Sequence, residues 1–118
     1  MDKKSFELEE RTAVFSESVI DYCRHLGPNY LIRPVASQLL RSATSIGANY
    51  REANAASSQR DFRNKIFIAR KEAQETEYWI RMSVKASPNH REAAVCLWKE
   101  CQELCLIFGK ISSSLGKR

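Results

Sequence analysis

Three carboxylates fall where packed helices could bring them together. Glu72 and Glu75 are one helical turn apart and share a face of one predicted helix, and Glu52 lies in the helix before it. Such a cluster could hold a metal ion or perform acid–base catalysis. Diiron bundles, however, use Glu-x-x-His pairs, and neither His25 nor His90 has a glutamate three residues before it. The sequence therefore lacks the diiron signature.

A structural polar core is the more economical interpretation of these residues. Arginine or lysine neighbours such as Arg51 and Lys65 would neutralise the carboxylates. Asn49 falls on the apolar stripe of its helix, where an unpaired amide would cost about 1–3 kcal/mol. We expect Asn49 to have a carboxylate or backbone partner on the next helix and to fix the helix register. The predicted polar core, with no metal ion, is Asn49, Glu52, Glu72 and Glu75.

No zinc or catalytic site is evident among the four cysteines, Cys23, Cys96, Cys101 and Cys105. Zinc needs four ligands in a compatible geometry. Cys101 and Cys105 lie one helical turn apart on or beside a core stripe, where a free cysteine behaves as a small hydrophobic residue. The sequence also has no serine elbow and no visible Cys/His pairing. It therefore predicts no enzyme, no cofactor and no small-molecule substrate.

The basic residues form the one functional patch that the sequence suggests. Guanidinium groups at helical spacing can bridge successive phosphates, and such binding weakens steeply with salt. The candidate contacts lie on the second and third predicted helices, with Phe67 among them. They are Arg41, Arg51, Arg60, Arg63, Arg70 and Lys71. The alternative is a solvated face tied by ion pairs such as Asp61–Lys65.

Charge is distributed unevenly along the 118 residues, whose net charge is +5. Residues 33–88 hold ten Lys/Arg and five Asp/Glu, a balance of +5, whereas residues 1–32 hold four against six. A basic middle is compatible with nucleic acid or other anionic partners. No apolar leader follows the first residues and no uncharged run approaches 18 residues. We therefore expect no signal peptide, no membrane span and a cytoplasmic location with reduced thiols.

Four amphipathic segments are predicted, at about residues 5–26, 34–56, 59–86 and 89–115. In each, core residues recur at alternating steps of four and three, the spacing of one helix face. Short links favour antiparallel neighbours, and the spacing fits shallow left-handed crossings. The sequence thus predicts a single all-α domain, an antiparallel up-down-up-down left-handed four-helix bundle. Three long helices with an irregular piece are the alternative.

Local signals punctuate these segments. Gly27 is suited to a left-handed end of the first helix, and Pro34 suits the first turn of the second. Ser58 and Asn89 are predicted to cap the third and fourth helices. The second helix is rich in small residues, with Gly47 beside its core stripe, so we expect its neighbours to approach it closely.

Two passages carry a more specific pattern, QLLRSATSIGANYREANAA (38–56) and FRNKIFIARKEAQETEYWIRM (62–82). They resemble the four-helix-bundle family of 23S ribosomal RNA intervening-sequence proteins. The second helix of that family carries Gln-Leu-x-Arg-Ser-Ala-x-Ser-Ile-x-x-Asn, and the third carries Ala-x-x-Ser/Glu-x-x-Glu. The matching positions here are Gln38, Leu39, Arg41, Ser42, Ala43, Ser45, Ile46, Asn49, Ala69, Glu72 and Glu75. The order of elements agrees over nearly the whole chain.

The resemblance implies homopentameric rings with a basic central region and supplies no catalytic residues. Members of a related group serve as accessory subunits that contact a reverse transcriptase and nucleic acid, so the resemblance also implies that role. We therefore predict a non-enzymatic, homo-oligomeric protein that binds structured RNA, with ribosomal RNA as one candidate, or DNA. The alternative is a protein-interaction scaffold or an accessory subunit of a polymerase or reverse transcriptase. A small bundle enzyme would need a bound metal or cofactor.

Overall fold

Four long helices make up most of the chain. In the computed structural model, which describes residues 2–116, α1 spans Lys3–His25, α2 spans Ile32–Asn54, α3 spans Gln59–Ala86 and α4 spans Arg91–Gly116. A 3-10 turn at Pro88–His90 precedes α4. No strand occurs between residues 2 and 116. The all-α, four-helix prediction is confirmed.

Side-chain caps set several helix ends. The Asp2 carboxylate accepts a hydrogen bond from the Ser5 N–H at 2.8 Å, so α1 begins two residues before the predicted position. Gly27 has a φ of 89°, the left-handed conformation that turns the chain after α1. The Ser58 hydroxyl accepts from the Asp61 N–H at 3.0 Å, as predicted for the start of α3.

The starts of α2 and α4 differ from the predicted ones. The Asn29 side chain accepts from the N–H of Ile32 at 3.0 Å, so α2 begins there and Pro34 lies inside its first turn. At α4 the predicted Asn89 cap is wrong. Pro88 starts a 3-10 turn that contains Asn89. The ring of Pro88 presets its own φ to a value that suits the first position of a turn, and Asn89 follows inside the turn, without the extended backbone that a capping residue needs.

The four helices pack side by side in chain order, and α1 meets α4 to close the bundle. Neighbours run antiparallel, as hydrogen bonds between α1 and α2 illustrate. The Asn54 amide donates to Glu9 at 2.7 Å, whereas the Ser16 hydroxyl, farther along α1, donates to the Ala43 carbonyl, farther back along α2. The left-handed twist stays a prediction.

Small side chains let the neighbours of α2 approach it closely. A Cβ atom at Gly47 would lie 3.0 Å from the Thr12 Oγ1 of α1, so only glycine fits this distance without a shift. On the other side, the buried Ser42 and Thr76 hydroxyl oxygens are 2.9 Å apart and form a hydrogen bond between α2 and α3. The expectation of a close-packed second helix is confirmed.

The predicted partner of Asn49 is wrong. Its amide donates to the Ser45 carbonyl at 2.8 Å, within its own helix, and the residue is half-buried. The Ser45 carbonyl lies one turn before Asn49 in the same helix, so the amide can reach it without any shift of a neighbouring helix. The polar contact that joins α2 to α3 in the core is the Ser42–Thr76 pair instead.

Candidate nucleic-acid interface

Arg41 lies against two glutamates of α3. Its Nη1 is 3.2 Å from the Glu72 Oε2, its Nη2 contacts the Glu75 Oε2, and its Nε donates to the Gln38 Oε1 at 3.0 Å. We call Arg41, Glu72 and Glu75 the Arg41 cluster. Two carboxylates surround one guanidinium, so this candidate phosphate contact already has anionic partners within the chain.

Trp79 completes the surroundings of the Arg41 cluster. Its indole N–H donates to the Glu75 Oε2 at 2.9 Å. This hydrogen bond, followed by the contact with Arg41, lowers the pKa of Glu75 below its ordinary value, although partial burial acts in the opposite direction. Glu75 therefore carries its charge throughout the neutral range, as an anchor for Arg41 requires.

Glu52 lies outside the polar core that the sequence predicted. Its side chain is 58% exposed and pairs with Lys65 at 3.1 Å, so Lys65 does neutralise it. The other expected partner, Arg51, has its Nε 4.0 Å from Glu9 of α1. The assignment of Glu52 to a polar core is wrong because this position of α2 faces solvent beside the α2–α3 seam. Lys65 therefore pairs with Glu52 rather than with Asp61.

The three carboxylates therefore do not converge. Glu72 and Glu75 share Arg41, whereas Glu52 is held by Lys65. Within residues 2–116, no group of three or more His, Cys, Asp or Glu side chains is arranged to hold a metal ion.

A row of basic residues runs along the exposed side of α3. Arg60, Arg63, Phe67 and Arg70 follow one another at steps of three, four and three, which places them on one helix face. We call these four residues the outer row. All are exposed, and none of the ion pairs within the described part of the chain involves its arginines. At about 1.5 Å per residue the row extends over roughly 15 Å.

Arg70 is positioned by α4 rather than by an acid. A Cβ atom at Gly109 would lie 3.4 Å from the Arg70 Nε and 3.6 Å from its Cζ, so the guanidinium lies across the helix at this glycine. The long side chain covers part of α4 while its charge stays accessible. Lys71, the next residue, is exposed beside the outer row and also lowers the pKa of Glu75, as a minor contribution.

A surface pocket of about 740 Å³ lies at the amino-terminal end of the outer row. It is formed by the start of α3 and one residue of α4, which the antiparallel packing brings alongside. Its lining residues are Ser58, Arg60, Asp61, Arg63, Asn64, Phe67 and Ser112. Sequence reasoning identified its arginines and Phe67 but missed Asn64 and Ser112, since no periodicity reveals which turn of α4 lies opposite.

Comparison with known proteins assigns this bundle to a family. The family described as 23S rRNA-intervening sequence protein matches residues 4–110. The chain belongs to this family. A crystal structure of a protein of unknown function from the S23 ribosomal protein family of Bacteroides thetaiotaomicron is similar, with a TM-score of 0.79 and 31% sequence identity. The match covers 93% of this chain and 98% of that one. No curated protein matches the chain.

In this member of the 23S rRNA-intervening sequence family, the seam between α1 and α4 is less closely packed than the other three seams of the bundle. Arg11 bridges it through two hydrogen bonds of 2.7 Å to the Glu100 carboxylate. Beside this bridge lies an open, mainly apolar groove of about 610 Å³, whose lining includes Val14, Tyr22 and Leu97. The seam is therefore held by a charged pair beside a space that side chains do not fill.

The cysteines of this family member are free thiols within residues 2–116. Burial raises the pKa of Cys23 to about 11. The Cys101 Sγ donates to the Ala73 carbonyl at 3.1 Å, and its hydrogen bond with Cys105, together with burial, also raises its pKa. Both thiols are protonated at neutral pH, the unreactive form. No helix between residues 2 and 116 is long and apolar enough to cross a membrane.

Proposed function

We propose that the protein is a non-enzymatic, homo-oligomeric nucleic-acid-binding protein that contacts structured RNA through the outer row. The observation that carries the proposal is a line of three arginines on one exposed helix face, none of which pairs with a carboxylate of residues 2–116. The family description, which names 23S rRNA, supports RNA as the class of ligand. A net charge of +5 would draw an RNA backbone to the protein. The proposed location is the cytoplasm.

The six candidate contacts differ in their surroundings, and we propose different roles for them. Arg60, Arg63 and Arg70 form the proposed centre, and Lys71 and Arg51 are exposed positions that could add contacts. Arg41 is instead proposed to be structural, because its guanidinium is bound by Glu72 and Glu75. A phosphate at Arg41 would compete with these carboxylates for the guanidinium.

Salt-dependent binding to a ribosomal RNA hairpin tests the proposal. We expect the R60E/R63E/R70E variant to lose at least 100-fold in affinity at low salt, and the slope of log affinity against log salt to fall by about 2. The matched control is R33E/K85E/R91E, which makes the same charge change at exposed positions near the other end of α3.

Two results would contradict the proposal. One is the absence of hairpin binding by the unaltered protein at low salt. The other is an equal loss in the control variant, which would attribute binding to net charge rather than to the outer row. Circular dichroism would verify that both variants stay folded.

Protein interaction is the second candidate function, as an oligomer interface, a scaffold or an accessory subunit of a polymerase or reverse transcriptase. The observation that favours it is a pair of exposed apolar side chains of α4, Val95 and Trp98, that line one surface groove together with residues of α3. Exposed apolar side chains grouped on one part of a surface are typical of interaction sites. Light scattering tests self-association, and V95E/W98E should reduce the measured mass if these residues form the interface.

A further inference from the structure

Phe67 is an exposed aromatic side chain that the core does not explain. It is 58% exposed on the solvent side of α3, between Arg63 one turn before it and Arg70 one turn after it. Its ring makes neither of the two aromatic contacts that occur within residues 2–116. The ring thus offers an uncovered face beside two guanidinium groups.

The pocket beside Phe67 supplies hydrogen-bonding groups as well as charge. Arg60 and Arg63 contribute two positive charges and Asp61 one negative charge, so the charge left over is positive. The Asn64 amide can both donate and accept hydrogen bonds. The pocket volume of about 740 Å³ lies in the range of small-ligand sites.

This combination suits one nucleotide unit of a single strand. A base can stack on an aromatic ring or a guanidinium plane, and its phosphate can bind arginine. Base edges hydrogen-bond to amide and carboxylate groups such as those of Asn64 and Asp61. Charge, a stacking surface and edge contacts thus lie together at one end of the outer row.

A base-paired helix cannot use the same pocket in this way. In a duplex both faces of an internal base are covered by its stacked neighbours, so Phe67 has no base face to contact. The arginines, in contrast, can bind the phosphates of paired and unpaired strands alike. Phe67 therefore separates two modes of binding that the arginines alone do not distinguish.

We propose that the pocket around Phe67 binds an unpaired nucleotide, with the base stacked on the Phe67 ring and its phosphate on Arg60 or Arg63. The inference rests on the proposed function, since it specifies which part of a structured RNA the outer row recognises. The site makes the protein selective for loops, bulges or strand ends over continuous duplex.

The test compares Phe67→Ala with Phe6→Ala. Phe6 lies on α1 and is 59% exposed, so it matches Phe67 in residue type and exposure but lies outside the pocket. The probes are a fluorescent ten-nucleotide single-stranded RNA and the same strand annealed to its complement. Anisotropy at low salt gives both affinities for each protein, and thermal melting verifies the fold.

We expect Phe67→Ala to weaken single-strand binding by about ten-fold or more while duplex binding changes less than two-fold. Phe67→Trp should retain single-strand binding, because an indole also stacks on bases. Phe6→Ala should leave both affinities unchanged.

Other results overturn the inference. If Phe67→Ala leaves single-strand binding intact, or weakens both probes equally, the base-stacking role is wrong although the outer row can still bind RNA. If the unaltered protein binds neither probe nor the hairpin at low salt, the proposed function fails and this inference fails with it.

Discussion

The Arg41 cluster and the outer row are two arginine-bearing regions with opposite surroundings. Arg41 lies between the Glu72 and Glu75 carboxylates of the neighbouring helix, which outnumber its charge. Arg63 and Arg70 lie on the same neighbouring helix but face solvent, and the side chain of Arg70 crosses α4 at a glycine. The difference teaches that a count of basic residues measures charge but not the charge available to a ligand.

What decides availability is the rotation of each helix about its own axis. Glu72 is only two residues from Arg70, yet one faces α2 and the other lies over α4. A step of two residues turns the helix by about 200°, so acid and base on one helix can serve different surfaces. The following predictions test this contrast.

The largest expected effect is on stability, from Arg41→Glu. Three carboxylates would then meet at the α2–α3 seam, and hydrogen bonds between charged groups would be lost. We expect the free energy of unfolding to fall by about 2 kcal/mol, seen as a Tm lowered by roughly 6 °C or more. Arg63→Glu, with no carboxylate partner to lose, should change stability by less than about 0.5 kcal/mol. Equal losses of stability in the two variants would contradict the view that Arg41 is structural and Arg63 is not.

The two glycines at helix contacts should respond in opposite directions. Gly109→Ala replaces a helix-interior glycine where the nearest atoms belong to the flexible Arg70 side chain, so we expect a gain of about 0.5–1 kcal/mol. Gly47→Ala brings a methyl group to 3.0 Å from Thr12 Oγ1, within the core, and should destabilise the protein. Denaturant unfolding measures both. A loss of stability in Gly109→Ala would show that the Arg70 side chain cannot move away from the added methyl group.

Removing the charges of the two glutamates should make Arg41 available to a ligand, as the arginines of the outer row are. In E72Q/E75Q the guanidinium loses its charged partners, so we expect hairpin affinity to rise about three-fold at low salt. The control is E17Q/E92Q, which makes the same charge change at two exposed positions on α1 and α4. A similar rise in the control would mean that only the net charge matters.

The smallest expected effect is a pH dependence from Trp79. Because the pKa of Glu75 is lowered in the folded protein, its ionisation contributes stability above the ordinary pKa of 4.5, and this contribution is lost as the pH falls through the folded pKa. Trp79→Phe removes the largest cause of the shift. The difference in unfolding free energy between the two proteins should therefore shrink on acidification. A difference constant from pH 7 to pH 3 would contradict this account.

Sequence periodicity predicted the helices because it depends on neighbours within one element. The same reasoning placed Ser58 at the start of α3 and anticipated the close approach at Gly47. Partners across a seam depend on helix rotation and axial offset, which a single sequence does not encode locally. That is why the pairing of Arg41 with Glu72 and the contribution of Ser112 to the pocket were missed, although the sequence analysis had singled out both Arg41 and Glu72.

The Arg11–Glu100 bridge has a consequence for the order in which the bundle assembles. It joins residues 89 positions apart, a far longer separation than the 34 between Ser42 and Thr76. Closing the longer loop costs more chain entropy and yields a seam that still leaves an open, mainly apolar groove. We therefore expect the α2–α3 hairpin to form early, and α1 and α4 to meet last. The same seam should be the first to open in native-state fluctuations, with faster amide exchange in α1 than in α3.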